Sequence, residues 1–206
     1  MNMRRLAPLP FAPLLLATLL LATAGCDPNP APAKAPDPAR RLEGAALGGP
    51  FTLVDQEGRT VTEESFAGQW RLMFFGFTHC PDICPTDLAR NAQALRAFEA
   101  ARPAAAARVQ PIFVSVDPER DTPAALKAFV ANFPPRLIGL TGTPAQVEAA
   151  KTAFRVYAAR RGDGPDYLVD HSSMTYLFDP DGRPVTFWSS DEPAEAVTAG
   201  LVALVK

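Results

Sequence analysis

The sequence predicts an α/β domain in which a mixed central sheet carries helices on both faces and opens with an N-terminal hairpin. Three observations carry that expectation. Two continuous apolar runs, Trp70–Phe77 and Val109–Val116, have the length and the aromatic or β-branched content of strands buried on both faces. Stretches with helical spacing of apolar residues lie between such runs, and Gly, Pro and Asp clusters divide the rest into short strands. Strands that alternate with helices need crossover connections, and these place helical layers against the sheet.

Each element follows from its own residues. Phe51–Val54 and Thr60–Thr62 flank a polar turn containing Gly58 and form a hairpin, and Trp70–Phe77 is the first buried strand. Leu88, Ala92, Leu95 and Phe98 then recur at helical spacing, and Val109–Val116 is the second buried strand. Thr122-Pro123 caps a helix carrying Leu126, Phe129 and Val130. After a strand at Leu137–Leu140, Thr143, Pro144 and Gln146 form a capping box that opens a helix burying Val147, Phe154 and Tyr157. Met174–Phe178 is a strand, and the turn Asp179-Pro180-Asp181-Gly182 leads into another at Pro184–Trp188. Ser190, Asp191 and Pro193 start a last helix that turns Val197, Leu201 and Leu204 inward. The order ββ-β-α-β-α-β-α-β-β-α fits a thioredoxin-like sandwich, a fold that by itself implies no function.

Composition bounds the rest. The 206 residues are 48% hydrophobic, enough for one sizeable core, and nine of the 22 prolines fall within the first 50 residues, outside any packed unit. Arg4 and Arg5 precede a proline-broken apolar stretch and eleven uninterrupted apolar or small residues, Leu14–Ala24, which read as an export signal over residues 1–25. Eleven residues at about 1.5 Å each span roughly half of a bilayer core, which disfavours an uncleaved anchor. Ala22-Thr23-Ala24 suits cleavage after small residues, whereas Gly25-Cys26 resembles a bacterial lipoprotein signal with Cys26 lipidated, and Asp27 resembles an inner-membrane retention signal. Thr23 departs from the lipoprotein pattern. Residues 26–48, rich in Pro and Ala, form a tether, and residues 49–206 form the folded domain. Removal of residues 1–25 takes the formal charge from −2 to −4, and with no basic cluster downstream nucleic-acid binding is excluded.

The chemistry concentrates in Phe77-Thr78-His79-Cys80-Pro81-Asp82-Ile83-Cys84-Pro85, where a buried strand ends and a helix begins. With the chain helical from Pro81, Cys80 and Cys84 project from one helix face, about 5–6 Å apart at Cβ, so both sulfurs reach one small ion. The helix N-terminus lowers both thiol pKa values, and two soft thiolates suit Cu(I). A structural disulfide across so short a span contributes little. A thiol–disulfide exchange site stays open, although such sites usually space their cysteines by two residues. Of the two histidines, His79 is either a ligand or, as its position favours, a structural or helix-entry residue, whereas His171 sits where thioredoxin-like proteins carry a loop facing their cysteines, either as a third ligand or as a surface residue bonded to Asp170. Met73 and Met174 fit strand cores better than a soft-ligand role. Asp117, Arg120 and Asp121 either contact a partner or form a turn and helix cap.

The segments Gly76–Pro85, Phe113–Pro123, Gly139-Leu140-Thr141-Gly142 and Asp170-His171-Ser172 occur in an order that resembles the Sco/SenC family of copper-binding proteins, from about Gly49 to the C-terminus. The resemblance implies a thioredoxin-like fold and copper, as Cu(I) or Cu(II), held by Cys80, Cys84 and His171. It also implies a role in delivering copper to, or reducing the thiols of, the binuclear copper site of the cytochrome c oxidase subunit exposed outside the membrane. Other copper chaperones or thiol reductants would be further partners, and a bacterial inner membrane with the domain facing the periplasm the location. Ser173 stands immediately before the strand facing the cysteines, where thioredoxin-like thiol enzymes carry proline. An exported thiol–disulfide oxidoreductase, with Cys80 attacking and Cys84 resolving, is the second reading, and a copper or redox sensor the third.

Overall fold

The computed structural model describes residues 41–134 and 136–206, so residues 1–25, read above as an export signal, Cys26, and residues 27–40, read as part of a tether, lie outside the described residues. Thr52–Asp55 (β1) and Thr60–Thr62 (β2) form the N-terminal hairpin. Its turn is held by Asp55, whose carboxylate accepts the backbone N–H groups of Glu57 and Arg59 at 2.9 Å each while Gly58 supplies a positive φ. Trp70–Gly76 (β3) and Val109–Ser115 (β4) are the two buried strands that the apolar runs predict. Between them lie the long helix Ile83–Ala101 (α1) and the one-turn helix Pro103–Ala106 (α2), the latter absent from the sequence-based reading.

Pro123–Val130 (α3) starts on Thr122, whose hydroxyl accepts from the Ala125 N–H at 3.2 Å. Ile138–Thr141 (β5) follows, and then Pro144–Ala153 (α4), which opens on the reciprocal Thr143–Gln146 capping box. Ala158–Arg161 (β6) and Leu168–His171 (β7) form a separate two-stranded hairpin, and Met174–Phe178 (β8), Pro184–Ser189 (β9) and Ala194–Leu204 (α5) complete the chain. The main sheet runs β2-β1-β5-β4-β3-β8-β9. Its centre, β5-β4-β3, is parallel, and both flanks are antiparallel. This is the expected thioredoxin-like sandwich.

Helices cover both faces. Phe75 and Phe178 meet Phe154 at the end of α4 and are joined to each other by Tyr176, whereas Phe113 stacks on Phe74 and meets Phe129 of α3. A second cluster joins Leu72, Leu177 and Trp188 of the sheet to Phe98 of α1 and to Val197 and Leu201 of α5. These interdigitated apolar side chains are the main stabilising contribution, at about 1.5–3 kcal/mol for each large one removed from water.

The β6–β7 hairpin is a further departure, since it puts His171 on a strand where a loop was expected, and four smaller details also differ. Helix α1 begins at Ile83 rather than Pro81, which leaves Cys80 in the loop before it. Tyr157 is 61% exposed because Arg155, at φ +54°, turns the chain out of α4 before Tyr157 is reached. In α5 the buried series Ala194, Val197, Leu201 continues to Val205, so Leu204 is only half-buried. The packed domain also starts before Gly49. Leu42 donates its N–H to Val185 O at 3.2 Å, Gly48 donates to Ala153 O at 2.9 Å, and Leu42 and Leu47 pack on the core. The tether assigned to residues 26–48 therefore gives up residues 41–48 to the domain.

Trp188 is 2% exposed, and a Cβ built at Gly200 would lie 2.5 Å from its ring. With so little room for collapse, Trp188→Ala is expected to cost about 3–5 kcal/mol, measurable as a lowered urea midpoint with an unchanged slope.

Candidate metal centre

The site forms where β3 hands over to α1. Cys80 is half-buried in the connecting loop and Cys84 fully buried in the first turn of the helix. Asp82 occupies the N-cap position but makes no side-chain cap, and the Cys84 N–H instead points at the Cys80 sulfur, 3.4 Å away. A sulfur thus takes the place of the usual oxygen acceptor at this helix start. Cys84 Sγ lies over Gly76, where a Cβ would stand 2.7 Å from the sulfur and 3.0 Å from the rings of Phe74 and Phe113. Only glycine leaves the thiol its seat.

His171 arrives from the far side as the last residue of β7, opposite Ala158. Its ring stands edge-on to Phe74 and Phe77, with centroid distances of 6.2 and 5.8 Å. Nδ1 is 3.1 Å from the Ser172 carbonyl, and Nε2 faces Cys84 Sγ at 3.3 Å. The two sulfurs and an imidazole nitrogen lie within 4.8 Å of one another, and no other group of metal-ligating side chains of this kind occurs among the described residues. The structure therefore brings together the three residues that the sequence nominates as ligands. Two soft sulfur donors and one nitrogen suit a thiophilic ion that tolerates three protein ligands.

The two thiols differ, contrary to the expectation that the helix end lowers both. The hydrogen bond that Cys84 donates, helped by His171 and by backbone N–H groups and opposed by burial, holds the Cys80 thiol down to about 4. The same hydrogen bond pushes the Cys84 thiol up, and burial adds to the effect. Cys80 is thus the thiolate and Cys84 the proton donor.

The remaining nominated residues take other roles. His79 is exposed, with Nδ1 3.0 Å from the Thr78 hydroxyl, and stands outside the ligand group. Asp117, Arg120 and Asp121, considered as partner contacts, face inward: Asp117 is 4% exposed and Asp121 0%. Asp121 accepts the Thr78 N–H at 3.1 Å and the hydroxyls of Thr78 and Ser115 at 2.6 Å each, and burial pushes its carboxyl up. Arg120 pairs with Asp117 at 2.6 Å. Met73 is buried in the core, as expected, and Met174 is half-buried.

Sequence reasoning did not single out Asp87, Arg90, Asn91 and Thr175. Arg90 lies 3.2 Å from the buried Asp87 carboxylate and donates to the Thr175 hydroxyl at 3.0 Å, and Asn91 donates to the same hydroxyl at 2.8 Å. This network ties the cysteine-bearing helix to the strand that follows His171. Polar residues inside an otherwise apolar helical repeat were its only visible signal.

A family model described as SCO1/SenC matches residues 39–206. The chain belongs to the SCO1/SenC family. The mitochondrial SCO2 homologue of Bos taurus is 46% identical over 160 residues, 76% of this chain and 59% of the bovine protein. The solved structure of Bradyrhizobium japonicum ScoI with copper bound matches with a TM-score of 0.69 at 45% identity, over 77% of this chain and 99% of that one. BsSco, described as a member of the Sco family of cytochrome c oxidase assembly proteins in which a disulfide switch was identified, matches with a TM-score of 0.61 at 29% identity, over 81% of this chain and 95% of its own. This chain spans 48% of the Arabidopsis thaliana mitochondrial SCO1 homologue and 59% of the bovine relative, about half to three-fifths of their lengths.

In the reduced, metal-free family member described here, alkylation by iodoacetamide should fall on Cys80 and spare Cys84. The lowered thiol is deprotonated above its pKa of about 4, so the rate should be flat from mildly acidic to neutral pH instead of climbing through the ordinary thiol range near pH 8.5. Mass-mapped alkylation rates across pH test this, and a rate that rises only near pH 8.5 contradicts it.

Proposed function

We propose that this protein is a membrane-tethered copper chaperone that holds one copper ion through Cys80, Cys84 and His171. The ion would pass to the binuclear copper site of cytochrome c oxidase. The carrying observation is the convergence of two sulfurs and one imidazole nitrogen within 4.8 Å at a strand-to-helix junction. Thiolates favour Cu(I), and the added imidazole accommodates Cu(II), whereas a structural zinc normally takes four protein donors. Three donors leave the ion open on one side, as exchange onto an acceptor's ligands requires. The copper bound in Bradyrhizobium japonicum ScoI and the assembly role stated for BsSco support the same reading.

Lipidation at Cys26 would anchor the chain in a bacterial inner membrane, and the Pro/Ala-rich residues 27–40 would hold the domain on the periplasmic side within reach of a membrane-bound acceptor. No helix among the described residues is long and apolar enough to cross a membrane.

The unequal thiols favour a second reading, an exported thiol–disulfide oxidoreductase. Cys80 thiolate would attack a partner disulfide, forming a mixed disulfide and releasing one partner thiolate. Cys84 would pass its proton to that thiolate and attack Cys80, closing the Cys80–Cys84 disulfide and releasing the second partner sulfur. The partner gains two electrons, and a separate thiol reductant restores the pair. The same chemistry would ready an oxidised acceptor's cysteines for copper.

An anaerobic Cu(I) titration of the reduced protein against a competing chelator is expected to give one ion per chain. His171→Ala should weaken binding by more than about tenfold, about 1.4 kcal/mol. Unchanged affinity in that variant refutes the three-ligand site, and no competitive binding at all, with the cysteines still cycling, favours the oxidoreductase. Separately, Cys26→Ser should move the protein from the membrane to the soluble fraction on cell fractionation, and persistent membrane attachment points to an uncleaved segment instead.

A further inference from the structure

Apart from Ala158 and Val169, which pack partly on the core, the hairpin carrying His171 has few apolar contacts to hold it. Its two strands pair only with each other, outside the main sheet. Isolated two-stranded hairpins are marginal in water. From Ala158 to His171 the one fully buried residue is Tyr167, at 7% exposure. Its ring lies between two guanidinium groups, Arg120 at 3.5 Å and Arg160 at 3.8 Å from the centroid. Its hydroxyl donates to Asp117, which also receives Arg120 Nε at 2.6 Å. Arg120 reaches on to the Pro165 carbonyl at 3.1 Å, and Arg160 reaches back to Glu119 at 3.4 Å. Cation–π contacts of this type contribute about 0.5–2 kcal/mol each.

The loop that grips Tyr167 also grips the other half of the site. Asp117 and Arg120 hold the hairpin, and Asp121, on the same loop, takes the N–H and hydroxyl of Thr78, two residues before Cys80. One short loop after β4 thus binds both ligand-bearing segments.

We propose that Tyr167, clamped between Arg120 and Arg160 and bonded to Asp117, is a positioning residue that holds the β6–β7 hairpin so that His171 faces the cysteines. The clamp acts through the hairpin, four residues from the imidazole, and makes no contact with the ligand atoms. Its consequence for copper rests on the three-ligand reading above, but its effect on His171 does not. Burial and the bond to Asp117 push the Tyr167 phenol up to about 12, so the hydroxyl stays a donor at neutral pH.

The test compares wild type, Tyr167→Phe, Tyr167→Ala and Arg160→Met, all first without metal. The readouts are the NMR shifts of the His171 ring protons, which lie among the rings of Phe74 and Phe77, and amide hydrogen exchange across residues 158–171. In Tyr167→Ala the ring shifts should move toward those of a solvent-exposed histidine and hairpin exchange should quicken at least tenfold, with exchange in β3 and β4 unchanged. Arg160→Met and Tyr167→Phe, which each keep part of the clamp, should fall between and keep the fold measurable even if Tyr167→Ala does not fold. Copper titration then follows. Tyr167→Ala should lose affinity about as His171→Ala does, and the double variant should lose no more than His171→Ala alone. Wild-type ring shifts and exchange in all three variants overturn the clamp. Shifted His171 signals in a protein whose wild type binds no copper overturn the copper reading and leave the clamp standing.

Discussion

The buried sulfur of Cys84 sets the conditions that the rest of the site has to meet. A thiol removed from water at the first turn of a helix needs room below and polar company beside it. Gly76 gives the room, since a Cβ there would stand only 2.7 Å from the sulfur. Cys80 and His171 give the company, one through its sulfur and one through Nε2. The strand, the helix start and the hairpin must therefore all be placed relative to one atom. Displacement of any of them leaves a buried polar group without its partner, at a cost of about 1–3 kcal/mol.

The polar networks around that atom explain how such placement is kept within an apolar sandwich. Asp121 is fully buried yet accepts hydrogen bonds from Ser115 and Thr78, and Asn91 and Arg90 meet on the Thr175 hydroxyl. Buried polar contacts of this kind add little net stability, but their directionality excludes the small shifts that apolar packing tolerates. The core holds the layers together, and the networks hold the ligand-bearing segments in register.

The parts legible in the sequence were those with dense local signals. β3 and β4 declare themselves as unbroken apolar runs, and the Thr143–Gln146 cap as a four-residue pattern. Cys80, Cys84 and His171 stood out because cysteine and histidine are scarce here. The β6–β7 hairpin gave no such signal: Arg160, Arg161 and Asp170 interrupt any alternation, and its one buried side chain, Tyr167, finds its acceptor 50 residues away. Nor could spacing distinguish the two thiols. Four residues apart at a helix start they look equivalent, and the difference arises from Gly76 below one of them and solvent beside the other. The inward turn of Asp117 and Asp121 was hidden for the same reason, because partners such as Thr78 lie 43 residues away.

The distance along the chain between the donors ties the ligand set to tertiary structure. Cys80 and Cys84 are neighbours even in an unfolded polypeptide, but His171 is 87 residues from Cys84 and meets it only when the hairpin has docked. Closing so long a loop carries an entropic cost that only the docked tertiary contacts offset, so the third donor joins the cysteines only through long-range structure. An incompletely folded chain presents two thiols and no imidazole beside them. The complete donor set is thus a property of the finished fold, and folding itself decides when the chain can begin to compete for a metal ion.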